Sequence, residues 1–201
     1  KVKGKKSHGA YPHQGIDAIL ASSHIIISLQ SLISRNISPI DSVVLSLGII
    51  SGGVKENIIC DEVTIKGTLR TLNENTREFS KNKINHIVKN VSNSFECDGE
   101  VYFEKGYDML INDNNVVDII KENLEKHIGK ENVIIRKEPS LGVEDFSFFL
   151  NSTNGAFYHI GCRNEAKNIN YPLHSEKFNI DEQCLKFGVL VHILNILSLS
   201  K

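Results

Sequence analysis

Apolar residues recur at two different periods along the first half of this chain. In "DEVTIKGTLRTL" (61–72), Val63, Ile65, Gly67 and Leu69 fall on one side and Thr64, Lys66, Thr68 and Arg70 on the other. That is the period-two pattern of a half-buried strand. Between Thr76 and Phe95 the apolar positions Ile84, Ile87, Val88, Val91 and Phe95 follow helical spacing instead, which predicts an amphipathic helix. "GIDAILASSHIIISLQSLIS" (15–34) is apolar and free of Pro. It predicts a largely buried helix, with Pro12 just upstream suiting its start. The β-branched "DSVVLSLGII" (41–50), bounded by Pro39 and Gly52-Gly53, predicts a strand, as do residues 1–6 and "GEVYFEKGY" (99–107). The order β-α-β-β-α-β is the split-βαβ, ferredoxin-like plan, a complete small domain of one sheet with two helices.

The pattern then changes. Residues 114–129 predict a helix closed by Gly129. Strands are expected at "NVIIRK" (132–137) and "GAFYHIG" (155–161), with a short helix or turn at 143–151. A final helix is expected over 179–200, with Asp181 as its N-cap. These strands are too few to close a sheet, so this half reads as the tail of a larger α/β domain. The boundary falls near Asp108 to Asp113, giving a first domain over 1–108 and a second over 109–201. The chain opens on "KVKGKK", inside a strand and with no initiator Met, which reads as a piece of a longer chain.

Composition narrows the function classes. A formal net charge of −1 over 201 residues gives no electrostatic case for nucleic acid or an acidic membrane surface. No apolar run approaches the roughly 20 residues that span a bilayer. Four scattered cysteines without a Cys-x-x-Cys pair fit free thiols of a cytoplasmic protein.

Four stretches carry candidate chemistry, each with a plainer alternative. His174 in "YPLHSEKF" is a solvated loop residue or a metal ligand, but a catalytic divalent site needs about three protein ligands. Gly142 and Glu144 in "PSLGVEDFSFF" belong to a helix N-terminus or to the wall of a cleft. Arg70 faces solvent, or joins Asn57 in holding a carboxylate through its planar fork. His8, on the corner "KKSHGAYPHQGIDAI" with His13, is a loop residue or a donor to a developing oxyanion.

The order and spacing of "GKKSHGAYPHQGIDAI", "GGVKENIICDEVTIKGTLRTL", "PSLGVEDFSFF" and "YPLHSEKFNIDE" resemble the M20 family of metallopeptidases and amidohydrolases. The match is to its amino-acid amidohydrolase branch of hippurate hydrolases, N-acyl-amino-acid deacylases and auxin-conjugate hydrolases. The resemblance implies a ferredoxin-like lid, or dimerisation, domain followed by the C-terminal portion of an α/β metallo-exopeptidase catalytic domain. It implies hydrolysis of the amide bond of N-acyl amino acids or small peptides, by a homodimer formed through the lid. One or two divalent ions (Zn, Mn, Co or Ni) would be the cofactors.

By the same resemblance, His8 stabilises the tetrahedral intermediate, often in the partner subunit's active site. Asn57 and Arg70 bind the substrate carboxylate, Gly142 and Glu144 match the cleft wall, and His174 matches the last metal ligand. His13 matches a motif position without a firm role. The remaining metal ligands and the general-base glutamate are expected upstream, so this chain alone is expected to be inactive. Cys60 stands where the family usually has Pro, which implies a looser loop at Asn57. The competing expectation is a non-catalytic dimerisation or binding module of ferredoxin-like fold.

Overall fold

A computed structural model describes residues 1–199 of the chain. Residue 200, the expected end of the final helix, lies outside the described residues. Contacts divide the chain into two compact units. One is Lys1–Met109 with Ser140–Gly142, and the other is Leu110–Pro139 with the residues from Val143 onward.

In chain order the first unit carries β1 (Val2–Lys3), β2 (Ser7–His8), α1 (Ala18–Ser31), β3 (Val43–Gly52), β4 (Ile58–Ile59), β5 (Glu62–Thr71), α2 (Glu74–Ser94) and β6 (Asp98–Gly99). One antiparallel sheet has the order β3-β5-β1-β6, and β2 pairs with β4 as a separate two-stranded ribbon. The long pair runs from Val43 opposite Thr71 to Gly52 opposite Val63, with a bulge between Leu47 and Ile49. The period-two face of β5 is the one that enters the core. Val63 is buried, and Ile65 and Leu69 pack against the same cluster as Ile25 and Leu29 of α1 and Ile84 and Val88 of α2.

Local chemistry sets the helix ends. The Asp17 carboxylate accepts from the backbone N–H of Ile19 and Leu20, and the Asn73 side chain accepts from Asn75 and Thr76. Both are N-caps that satisfy otherwise orphaned donors. Pro12 does not start α1, as its sequence position suggested. It opens a separate 3-10 turn, Pro12–Gln14. The chain then runs extended through a bridge between Lys5 and Ile16, so the helix begins only at Ala18. A π-helical turn, Leu32–Asn36, follows α1. Together, Ala18–Asn36 is long and apolar enough by length and composition to cross a membrane, contrary to the expectation that no apolar run reaches that length. Here its Ala18, Ala21, Ile25, Leu29 and Leu32 form the core of the first unit.

Two expected strands of this unit are shorter than their pattern. Of residues 1–6 only Val2–Lys3 forms a strand; Lys5 makes an isolated bridge to Ile16, β2 lies beyond at Ser7–His8, and Gly4 packs closely on the Ile16 backbone. A Cβ at position 4 would lie 2.1 Å from the Ile16 carbonyl oxygen. The strand expected at 99–107 is short as well. Only Asp98 and Gly99 pair with β1, since β1 ends at Lys3 and offers nothing further to pair with.

The second unit carries α3 (Asn114–Ile128), α4 (Ser147–Leu150) and α5 (Gln183–Leu199). Gly129 closes α3 at φ 88°, a backbone region that disfavours side chains with a Cβ. Neither 132–137 nor 155–161 forms a strand. A strand exists only as one of a pair, and no described segment runs beside either of them in a ladder. The nearest substitute is Asn112, whose side chain bonds both the N–H and the carbonyl of Phe157 at 2.8 and 2.9 Å. α5 packs Val191 and Leu194 against Ile120 and Leu124 of α3. Leu185, Phe187, Val189 and Leu197 remain more than half exposed. A helix apolar on all sides is ordinarily enclosed, and this one is covered on one side only.

Candidate functional site

His8 ends β2 directly opposite Ile58 of β4. That register brings two residues 50 positions apart in sequence to one corner. The Gly9 N–H donates to the Asn57 carbonyl at 2.7 Å. A Cβ at residue 9 would stand 3.0 Å from that oxygen, so Gly allows the close approach. The turn continues with Tyr11 N–H donating to the His8 carbonyl at 2.8 Å and Ala10 N–H donating to His8 Nδ1 at 3.0 Å. Tyr11 contacts both imidazoles, with ring centroids 5.8 Å from His8 and 6.3 Å from His13. His8, His13 and Asn57 are all exposed. His13 also lines a shallow recess of about 300 Å³ with Asp17, Leu20, Phe95 and Glu96. Tyr11 had no place among the sequence candidates. Its position between two histidines in a tight turn was the available signal.

Arg70 is elsewhere. It lies near the far end of β5, opposite Val44, half-buried, with Nη1 donating to the Leu141 carbonyl at 2.9 Å. Arg70 is thereby adjacent to the segment Ser140–Gly142, in which Gly142 N–H bonds Ser140 Oγ at 3.0 Å. From Glu62 to Arg70 is eight residues of extended strand, about 27 Å at the usual rise. The β2–β4 ribbon with His8 lies beyond the Glu62 end. One subunit therefore cannot bring Asn57 and Arg70 to the same small carboxylate.

Glu144 and Asp145 precede α4 and are exposed. Their carbonyls accept from Ser147 and Phe148, and Ser147 Oγ also donates to the Glu144 carbonyl at 2.8 Å. Phe146 packs on Phe149 and Phe157 at 5.8 and 5.7 Å between centroids. Glu144 is thus carried by a turn whose aromatic side is anchored.

His174 sits in an exposed loop with φ 68°, the left-handed region that non-glycine residues adopt at a cost and that collects at functional positions. Asp181, after the same loop, accepts from Asn164 Nδ2, Lys167 Nζ and Gln183 N–H. These bonds hold its carboxyl down at about 2. Among the described residues no three His, Cys, Asp or Glu side chains group as a metal site. His174 alone does not hold a divalent ion, so the described donor set does not fit one.

The fold and these corners define a peptidase dimerisation domain joined to a second α-helical unit. The family model described as the peptidase dimerisation domain matches residues 1–96. Thermostable carboxypeptidase 2 of Saccharolobus solfataricus is 38% identical over 194 residues, 96% of this chain and 48% of that protein. An N-acetyldiaminopimelate deacetylase of Halalkalibacterium halodurans is 34% identical over 189 residues, 94% of this chain and 49% of its own length. Among solved structures, a provisionally assigned aminohydrolase of methicillin-resistant Staphylococcus aureus superposes with TM-score 0.82 at 28% identity, covering 98% of this chain and 50% of that one. A Bacillus subtilis protein described as a dinuclear metal-binding peptidase of the M20 family gives TM-score 0.76 at 20% identity, covering all of this chain and 50% of that one. Residues 1–96 carry the peptidase dimerisation domain, and the chain is similar over nearly all of its length to carboxypeptidases and deacetylases. It spans about half the length of the curated relatives it matches.

Proposed function

We propose that this chain supplies the lid and the C-terminal part of the catalytic domain of a metal-dependent amidohydrolase. Its substrates are N-acyl amino acids or small peptides, and it works as a homodimer in the cytoplasm. The observation that carries this reading is the corner at which His8 pairs with Ile58 and the Gly9 N–H bonds the Asn57 carbonyl, remote from Arg70. The sheet order β3-β5-β1-β6 supports a ferredoxin-like lid. The carboxypeptidase and deacetylase names of the relatives support cleavage of an amide bond.

In this reading His8 donates a hydrogen bond to the oxyanion as the amide carbonyl becomes tetrahedral, an interaction stronger in the transition state than in the ground state. Asn57 acts beside it as a polar contact to substrate. Arg70 holds the substrate's carboxylate through its guanidinium, next to the Gly142 segment, with Glu144 on the cleft wall. Because a single subunit separates Arg70 from the His8 corner, His8 and Asn57 serve the partner subunit's site. In the complete enzyme His174 joins ligands from outside the described residues. A divalent ion, if held there by His174 together with those ligands, would supply carbonyl polarisation and an activated water. The exposed apolar side of α5 is then covered by the rest of that α/β domain.

A non-catalytic dimerisation module remains the second reading. It is favoured by β3, a ten-residue strand at the sheet edge with exposed Val44 and Ile49, an edge suited to pairing with another copy. The test is His8→Ala in the complete reading frame that contains this chain. The expected result is a fall in kcat of about 10²–10³, the range for loss of one oxyanion donor, with bound metal unchanged. Unchanged hydrolysis in that variant rejects the catalytic role of His8. Loss of metal assigns it a different one.

A further inference from the structure

We infer that the turn from His8 to Tyr11 fixes the tautomer of His8, so that the ring donates through Nε2–H and has no free lone pair. This rests on the reading of His8 as an oxyanion donor and adds which nitrogen donates and what selects it. The decisive contact is the Ala10 N–H, which donates to His8 Nδ1 at 3.0 Å. A backbone N–H is only a donor, so Nδ1 must be the acceptor. A neutral imidazole that accepts at one nitrogen carries its proton on the other.

The same contact excludes two other roles. With its proton on Nε2, the ring cannot take a proton there. With its lone pair engaged, Nδ1 can neither ligate a metal nor act as a base unless the turn opens. The turn is itself braced. Tyr11 N–H closes it onto the His8 carbonyl, and Gly9 N–H ties it to the Asn57 carbonyl. The Ala10 amide is thus a positioning group that acts through the ring.

The experiment is a long-range proton–nitrogen correlation spectrum of this chain labelled with nitrogen-15 histidine. It is recorded above the imidazole titration, with the His8 signals identified by their loss in His8→Asn. The expected pattern is one neutral form, protonated on the nitrogen that couples to both carbon-bound ring protons. An Nδ1–H form, or a mixture of tautomers, overturns the inference.

Two variants separate the ring's two sides. His8→Asn retains an acceptor near the Nδ1 position, so the Ala10 amide keeps its native exchange rate. His8→Gln moves its amide outward, so Ala10 exchange rises about two- to tenfold, the scale of one hydrogen bond. An Ala10 rate unchanged in His8→Gln also overturns the inference. If the Nε2–H form is found but His8→Ala leaves kcat intact in the complete enzyme, the tautomer stands and the oxyanion reading falls. If kcat falls but the ring is Nδ1–H, the reverse holds.

Discussion

The two units use apolar residues in opposite ways. In the first, two helices and a sheet enclose one another, and Ile25, Leu32 and Val63 are at most 1% exposed. In the second, the best-buried apolar residues, Val191, Ile120 and Leu124, keep 5–9% of their surface. There α5 shows apolar side chains on nearly every side. α2 makes the contrast plain. It is the longer helix, yet its apolar residues occupy one stripe, so one partner surface satisfies it. α5 needs a partner on each side and has α3 on one. A strict amphipathic period marks an element that its own unit can finish. An apolar helix without one belongs to a larger core.

The largest effect that would sharpen this contrast is a core truncation in the first unit. Ile25→Ala should cost about 2–5 kcal/mol, the range for a large-to-small change at a filled site, read by urea denaturation. Ile27→Ala on the same helix, at a residue 70% exposed, should stay within about 0.5 kcal/mol. Equal losses would mean that α1 does not bury the face described. Next in size is the cap of α2. Asn73→Ala should cost about 1 kcal/mol in the same measurement, and no loss would remove the cap from the account of that helix. A third test concerns the uncovered side. Leu185→Lys with Phe187→Lys should reduce binding of a hydrophobic dye while leaving the unfolding midpoint of the first unit unchanged. A shift of that midpoint would show that α5 supports the first unit.

Much of the first unit was legible because its elements obey local rules. The alternation in β5 and the helical stripe of α2 each read correctly, as did, in the second unit, the glycine that ends α3. What failed depended on partners. "GEVYFEKGY" has strand composition, but β1 is two residues long and pairs only with Asp98 and Gly99. "NVIIRK" and "GAFYHIG" have it too, with no ladder beside them. Composition states that a segment can pair, never with what. The same limit applies to the candidate site. The union of His8 with Asn57 depends on the register of β2 against β4, which no local pattern encodes. The separation of Arg70 from that corner follows only from the length and direction of β5.

The smallest expected effect involves pH. The Asp181 carboxyl is lowered to about 2 by Asn164, Lys167 and the Gln183 N–H. A lowered carboxyl stabilises the folded form above its ordinary value and loses that contribution as pH falls through the lowered one. The start of α5 should therefore hold at pH 5 and loosen progressively from about pH 4 toward 2. Hydrogen exchange in its first turn reads this, and Asp181→Asn should remove the pH dependence. An identical acid profile in that variant would mean that other carboxyls govern the helix start.

The most direct test of the central claim uses two inactive variants of the complete enzyme, His8→Ala and Arg70→Ala. The claim is that His8 and Arg70 of one subunit belong to different active sites. The variants are unfolded, mixed and refolded together, or co-expressed. In a mixed dimer one site then receives an intact His8 from one subunit and an intact Arg70 from the other. With random pairing, about a quarter of native activity should return, as expected for a two-fold dimer in which half the molecules hold one good site. No recovery, from mixtures shown to contain mixed dimers, would contradict the claim and place both residues in one subunit's site.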